Sequence, residues 1–235
     1  MSEFTYVGQE LDLFAAVVNW KSYWSVQIRP FVAGDVLEVG AGIGSNTHFL
    51  DPGGAGRWVC LEPDSQLIAR LAGNLETSGT RRTCETICGT LESLKNQQFD
   101  TIIYIDVLEH IEKDREELAA AASLIRPGGR IIVLSPAHQR LFNPFDSTLG
   151  HFRRYDRPML RDISPAGLPL IRLRYLDSVG LCASAANLLF LRQSVPTKGQ
   201  LRFWDHWMVP LSRVLDKLLL YTAGKSILAI WQKPR

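Results

Sequence analysis

The chain of 235 residues is 46% hydrophobic and 21% charged, with a formal net charge of +2 at pH 7. These are the proportions of an ordinary globular protein with room for one sizeable α/β domain, not of a low-complexity chain. No apolar run approaches the roughly 20 residues of a membrane span. Met1 to Glu10 is polar and acidic rather than leader-like, so a cytoplasmic protein is expected.

The +2 conceals an asymmetry. Residues 1–150 hold 12 Lys and Arg against 19 Asp and Glu, whereas residues 151–235 hold 14 against 5. A basic C-terminal third suits an acidic substrate, an anionic membrane surface or nucleic acid, or it simply balances the acidic part of the same fold. Cys60, Cys84, Cys88 and Cys182 are scattered and read as reduced thiols; Cys84 and Cys88 lack the second pair or nearby His of a metal site, and no metal is assigned.

In chain order, residues 11–33 space apolar side chains at three- and four-residue intervals, which predicts a helix ending near Pro30. Asp35–Gly40 predicts a strand that breaks into a glycine-rich turn with a helix behind it. Further strands are expected at Arg57–Glu62, Cys84–Cys88, Phe99–Ile105 and Arg130–Leu134, with helices at Ser65–Leu75 and Lys113–Leu124. Strands alternating with helices imply βαβ crossovers and a doubly wound, mostly parallel α/β sheet. Residues 137–160 form a long polar and aromatic connection. A strand at Ile171–Tyr175, helices at Cys182–Arg192 and Phe203–Leu220, and a last strand at Ser226–Gln232 follow.

The first strand's turn carries the first chemistry. Gly40, Gly42 and Gly44 remove the Cβ atoms that would keep a ligand from the backbone N–H groups. A dinucleotide fingerprint would place its third glycine at 45, where this chain has Ser45, and Glu38 two residues upstream would repel a pyrophosphate. Glu62, at the tip of the next strand, suits a ribose diol. The combined demand is a nucleoside with a cationic, amino-acid-like tail and no phosphates.

Five segments carry a resemblance: Val36-Leu-Glu-Val-Gly-Ala-Gly-Ile-Gly, Leu61-Glu-Pro-Asp, Gly89-Thr-Leu-Glu-Ser-Leu, Phe99-Asp-Thr-Ile-Ile-Tyr-Ile-Asp-Val-Leu-Glu-His-Ile and Leu124-Ile-Arg-Pro-Gly-Gly. Together they resemble the motifs of class I S-adenosylmethionine-dependent methyltransferases over roughly residues 30–136. The resemblance implies one domain with a seven-stranded sheet whose last strand is antiparallel. It divides the chain into an N-terminal helical cap (1–33), a cofactor core (34–136) and an acceptor-side remainder (137–235).

The resemblance also implies that S-adenosylmethionine binds and leaves as S-adenosylhomocysteine. Gly40, Gly42 and Gly44 would approach its methionine part and Glu38 its ammonium side. Glu62 would hold the ribose, with Pro63 and Asp64 at its border, and Asp106 would lie at the sulfonium end. Thr90 stands where many relatives have Asp, which leaves Leu91 and Glu92 as the next residues for the adenine edge. Glu38 and Asp106 also fit plain structural roles, as a helix-entry residue and a helix cap.

Methyl transfer from a sulfonium is an in-line displacement, so a hydroxyl acceptor needs alignment and a base. His110, in Asp106-Val-Leu-Glu-His, is the base candidate at a strand end and resembles the Glu-His pair of quinone-type O-methyltransferases; otherwise it is a surface histidine at a helix start. Asp146-Ser-Thr-Leu-Gly-His-Phe-Arg-Arg-Tyr resembles a signature of a bacterial methyltransferase subgroup often associated with surface-glycan and lipid-linked sugar pathways. There Arg153 and Arg154, with Asp146, would hold an anionic acceptor, and His151 or Tyr155 would orient its hydroxyl. Alternatively the two arginines point to opposite sides, one paired with a carboxylate and one solvated.

The expected acceptor is therefore a small or lipid-linked molecule, anionic and glycan-like, with a phenolic or quinone-type acceptor as the alternative. In the helix at 203–220, Trp204, Trp207 or Met208, Leu211, Leu215 and Leu218 share a stripe. That stripe is expected to cover the sheet, or else to touch a membrane surface at its inner face. Nucleic acid is not an expected partner, because the fourth strand lacks the motif of amino-methylating DNA enzymes. A monomer or homodimer is expected. An NAD-dependent oxidoreductase and a non-catalytic binding module are the rival readings.

Overall fold

The computed structural model describes residues 10–54, 56–77, 84–186 and 197–235. Its strands are β1 (Val36–Val39), β2 (Trp58–Glu62), β3 (Cys84–Cys88), β4 (Phe99–Ile105), β5 (Ile125–Pro136), β6 (Leu170–Leu176) and β7 (Ser226–Gln232). They form one sheet in the order β3-β2-β1-β4-β5-β7-β6, parallel from β3 through β5, with β7 antiparallel to both neighbours. The α/β class, the seven strands and the reversed last strand agree with the expectation.

The central strands read as near-continuous apolar runs because both sheet faces are covered. Successive side chains alternate between those faces. Leu37, Val59, Ile102 and Ile131 pack with Leu118 and Ala121 of α5 (Asp114–Leu124) and Leu160 of α7 (Arg157–Asp162). Val36, Trp58, Ile103 and Ile132 pack on the other side with Trp24 and Ile28 of α2 (Val18–Ile28), Leu71 of α4 (Ser65–Thr77) and Val209 of α10 (Val209–Leu218).

Three helices depart from the expected spans. The N-terminal helix breaks into α1 (Glu10–Ala15) and α2, with extended backbone at Val17. The break is held by a distant carboxylate: Val18, Asn19 and Trp20 donate their backbone N–H groups to Asp205 at 3.2, 3.2 and 2.9 Å. The helix after the glycine turn is a single turn, α3 (Thr47–Leu50), stopped ahead of Pro52. Helix α8 covers Ser178–Ala186, so residues 187–192 of the expected 182–192 helix lie outside the described residues.

A further departure concerns the C-terminal helix. Helix α9 (Lys198–Phe203) runs through a π-helical turn, Trp204–Met208, into α10. Its inward face mixes apolar and polar groups: Leu201, Trp204 and Val209 are buried together with Asp205, Ser212 and Asp216, while Trp207 is 72% and Leu218 73% exposed. Asp216 accepts from Tyr23 Oη and from the backbone N–H groups of Asp177 and Ser178, and Asp177 accepts from Trp204 Nε1 and Ser212 Oγ. Those hydrogen bonds orient the helix, so the expected apolar stripe of Trp207, Leu211 and Leu218 points away from the sheet; Trp204 alone of its tryptophans is buried. Among the described residues no helix is long and apolar enough to cross a membrane.

Candidate active site

β1 has β2 on one side and β4 on the other, so the chain crosses over in opposite directions from it. In a doubly wound sheet the crevice beyond the strand ends at such a reversal is where ligands bind. A cavity of about 1000 Å³ opens there, walled by the ends of β1, β2, β4 and β5, by α1 and α2, and by the α9–α10 helix. That volume accommodates a nucleoside-sized cofactor beside an acceptor.

The β1 turn supplies the cofactor end. Gly40 sits at φ +63°, and a Cβ there would collide with the Val107 side chain at 2.6 Å, so glycine lets the β4 loop close against the turn. Glu62 ties the turn to β2: its carboxylate accepts from Gly42 N at 2.9 Å and from Asp64 N at 3.1 Å. Burial lifts the Glu62 carboxyl above its ordinary range, and those backbone bonds oppose the lift. Gly40, Gly42, Glu62, Pro63, Thr90, Leu91 and Asp106 all line the cavity. Asp106 has φ +54°, and burial pushes its carboxyl up to about 6 despite the opposing charges of His151, Lys225 and Lys21.

Four predicted cofactor residues stand behind this wall rather than in it. Glu38 is 3% exposed and accepts from Thr47 Oγ1 at 2.9 Å and Trp58 Nε1 at 3.1 Å, so it braces the turn from beneath. Gly44, at φ +76°, packs against Leu71. Asp64 accepts from Gln66 N and Leu67 N and caps α4. Glu92 is exposed and outside the lining.

The segment after β5 supplies the acceptor end, and Asp146 organises it. Asn143 and Asp146 form a reciprocal cap at the start of α6 (Pro144–Thr148). The other Asp146 oxygen, Oδ1, accepts from His151 Nδ1 at 3.0 Å and from Arg154 Nε at 2.8 Å. Burial raises the Asp146 carboxyl, and these two bonds more than reverse it, leaving it below its ordinary range. Gly150 has φ +79° and lets the chain pass over His110: a Cβ there would lie 3.9 Å from His110 Nδ1. His110 and His151 meet edge to face with ring centroids 4.5 Å apart. Burial, reinforced by His151, lowers His110 to about 4, so at neutral pH it presents an uncharged ring.

Residues 152–155 run as an extended ribbon. Phe152 N donates to Glu109 O, Tyr155 N to Pro136 O, and Tyr155 bridges Ala137. Neighbouring side chains on such a ribbon face opposite ways. Arg154 lines the cavity. Arg153 turns away, pairing with Asp114 at 2.6 Å and donating to the carbonyls of Ile111 and Glu112. Tyr155 is fully buried and donates to Asp114 at 2.7 Å, outside the cavity lining. The expectation that Arg153 and Tyr155 face the acceptor is therefore corrected: they anchor the ribbon to the β4–α5 loop.

Three lining residues went unassigned in the sequence. Lys21 of α2 is 5% exposed and donates to Ser45 O and Oγ at 3.0 and 2.8 Å; burial lowers it to about 8, against the pull of Asp106 and Glu38. Its one signal was a lysine set between Trp20 and Tyr23. Lys225, just before β7, lies over the Trp204 ring at 4.3 Å and gives no sequence signal. Glu109 is fully buried at the foot of His110, legible only as half of the Glu-His pair.

Comparison with known proteins places this geometry. Residues 37–131 match the family model described as a methyltransferase domain. A curated relative, the mitochondrial ubiquinone biosynthesis O-methyltransferase of Dictyostelium discoideum, is 26% identical over 109 residues, which is 42% of this chain and 34% of that protein. The match thus spans about a third of that relative's length. Phosphoethanolamine N-methyltransferase 2 of Haemonchus contortus, solved with phosphomonomethylethanolamine and S-adenosylhomocysteine, superimposes with a TM-score of 0.61 at 14% identity, over 97% of this chain and 58% of that one. The [4+2]-cyclase SpnF superimposes with a TM-score of 0.63 at 14% identity, over 97% and 95% of the two chains, so the fold by itself does not fix the reaction. The methyltransferase-domain match lies over the glycine turn, Glu62 and the β4 end, so residues 37–131, which build the cofactor end of the cavity, are a methyltransferase domain.

Proposed function

We propose that the protein methylates a hydroxyl of an anionic, glycan-type acceptor, either a small molecule or a lipid-linked sugar bearing phosphate or carboxylate. The observation that carries this reading is the pairing of cations with bases at one end of the cavity. Arg154 and Lys225 line it together with His110 and His151. Two cations in a partly desolvated wall attract an anionic group more strongly than they would in water.

The residues at the other end fit S-adenosylmethionine, which supplies a methyl group on a sulfonium when bound. Glu62 would accept the ribose hydroxyls, Gly40 and Gly42 would bring backbone close to the methionine part, and Lys21 would pair with its carboxylate. Pro63, Thr90 and Leu91 would border the nucleoside. Asp106 would face the positive sulfonium, and Glu38, Gly44, Asp64 and Glu92 would support rather than touch it. His151, oriented by Asp146, takes the acceptor's proton at Nε2 as the oxygen–methyl bond forms, and His110 holds the facing wall neutral.

Peripheral contact with a membrane belongs to the same reading. Phe203, Trp207, Leu211, Val214 and Leu218 are exposed along one helix that also carries Lys198, Arg202 and Lys217 on its exposed surface. An apolar face flanked by cations suits an anionic bilayer. A quinone-type phenol remains the second reading, favoured by the ubiquinone O-methyltransferase match.

The test is transfer of labelled methyl to phosphorylated sugars, lipid-linked sugars and polyprenylated phenols, with and without anionic vesicles. Labelling of anionic sugars that falls at least about tenfold in Arg154→Ala supports the proposal, tenfold being about 1.4 kcal/mol of lost interaction. Labelling confined to the phenols overturns it in favour of the second reading. Loss of vesicle sedimentation in Trp207→Glu, with folding intact, is the expected result for the membrane face.

A further inference from the structure

Glu109 is a fully buried carboxylate that the methyl-transfer reading leaves without a role. It is 0% exposed, and among the described residues neither carboxylate oxygen has a hydrogen-bond partner. Its nearest polar neighbours are Ser135 Oγ and its own backbone N–H, neither at full hydrogen-bond geometry. Asp106 and Asp146 add negative charge from neighbouring elements. Burying an unpaired carboxylate among other carboxylates is costly unless a cation or a proton compensates it.

The two histidines supply what a cation needs. One carboxylate oxygen of Glu109 and one ring nitrogen each of His110 and His151 all lie within 4.8 Å of one another. His151 directs Nδ1 at Asp146, which leaves Nε2 as its free lone pair. His110 is hydrogen-bonded to the backbone of Leu149. A metal-bound histidine characteristically has its second nitrogen held by a carboxylate or a backbone carbonyl, and Asp146 holds His151 in this way. Ligands about 2.1 Å from a shared tetrahedral ion stand about 3.4 Å apart, so side-chain movements of about 1 Å would close the set.

We propose that Glu109, His110 and His151 bind one divalent transition-metal ion, of the kind that two imidazoles and one carboxylate select, with Asp146 as the outer-shell partner of His151. Three protein ligands leave a coordination position open toward the cavity. An acceptor oxygen bound there would lose its proton more readily, to water rather than to His151, whose Nε2 the ion would occupy in place of the proton transfer described above; that step rests on the methyl-transfer reading, whereas metal binding itself does not. No such set is legible in the sequence, because the third ligand comes from the segment after β5, 41 residues beyond His110.

The experiment titrates chelator-treated protein with Co2+, followed by visible absorption, and with Zn2+, Mn2+ and Mg2+, followed by calorimetry. The expected result is one equivalent of Co2+ and Zn2+ bound at micromolar or lower Kd, with Mg2+ at least about tenfold weaker. Glu109→Gln and His151→Ala should abolish the stoichiometric signal, and Asp146→Asn should weaken it about 10–100-fold. The ion should raise the melting temperature of the unaltered protein and leave that of Glu109→Gln unmoved, which separates a ligand from a residue that only supports the fold. No stoichiometric binding, or binding retained in both Glu109→Gln and His151→Ala, overturns the proposal. If the ion binds but methyl transfer is the same with chelator present, the site stands and its part in the reaction falls.

Discussion

Asp205 permits a quantitative test of how the cavity is held together. It is 3% exposed, lies in the π-helical turn, and accepts three backbone N–H groups at the start of α2. Substituting Asp205→Ala removes a helix cap, worth about 1–2 kcal/mol. It also removes a carboxylate from a partly buried helix N-terminus, worth up to about 2 kcal/mol. These overlap, since one carboxylate does both, so the net expectation is a loss of about 3 kcal/mol, or about 6–12 °C in melting temperature for a chain of this size. Asp205→Asn keeps the shape and one acceptor oxygen, and should lose about 1 kcal/mol. Because α2 carries Trp20, Lys21 and Trp24 into the cavity wall, Asp205→Ala should also weaken S-adenosylmethionine binding several-fold. Urea unfolding with calorimetric titration of the cofactor measures both. An Asp205→Ala protein within about 0.5 kcal/mol of the unaltered one, the size of an ordinary surface substitution, would refute the idea that this carboxylate fixes α2.

Three further outcomes follow from the geometry. Burial lifts Glu38 from its ordinary 4.5 to about 7. The folded protein therefore holds this proton where the unfolded chain releases it, and stability falls as pH rises through that interval, by about 3 kcal/mol in all; in Glu38→Gln, urea midpoints at about pH 5 and about pH 8 should converge by most of that amount. Tyr155→Phe should cost about 1–2 kcal/mol of stability by removing the bond to Asp114, with kcat changed less than about twofold; a fall of tenfold or more would return Tyr155 to the reaction. Glu62→Gln should raise the Kd for S-adenosylmethionine about 10–100-fold, measured by calorimetry, since it leaves one acceptor for a diol that needs two; an unchanged Kd would remove Glu62 from the ribose site.

Much of the sheet was legible because β1, β2 and β4 are apolar runs ended by glycine or an acidic residue and β5 carries the apolar run Ile131–Leu134, and such runs have few other places to go. The glycine turn and Glu62 were legible for a related reason, since close backbone approach and a strand-tip carboxylate are local requirements. The outward stripe of α10 was not legible. Periodicity reveals that a helix has two faces, and here Asp216 and Ser212 turn inward beside Val209 because they meet groups that arrive from α2 and the start of α8. Lys21 was missed for the same kind of reason, since its partner Ser45 is brought to it only by the fold, as His151 is brought beside Glu109 and His110. Tyr155 illustrates the opposite error, a residue chemically able to handle a hydroxyl whose own hydroxyl is already committed to Asp114.

The ribbon from Phe152 to Tyr155 assigns two chemically identical side chains to different compartments by parity alone. Arg154 faces the cavity and Arg153 the scaffold because the ribbon's pleat puts odd and even positions on opposite sides, and Tyr155 pins the count through Pro136 and Ala137. One residue inserted between Asp146 and Arg153 would exchange their destinations without changing the composition of the segment. The spacing from Asp146 to Tyr155 is thus as much a part of the site as any side chain in it, and a deletion or insertion there should be less tolerated than most single substitutions.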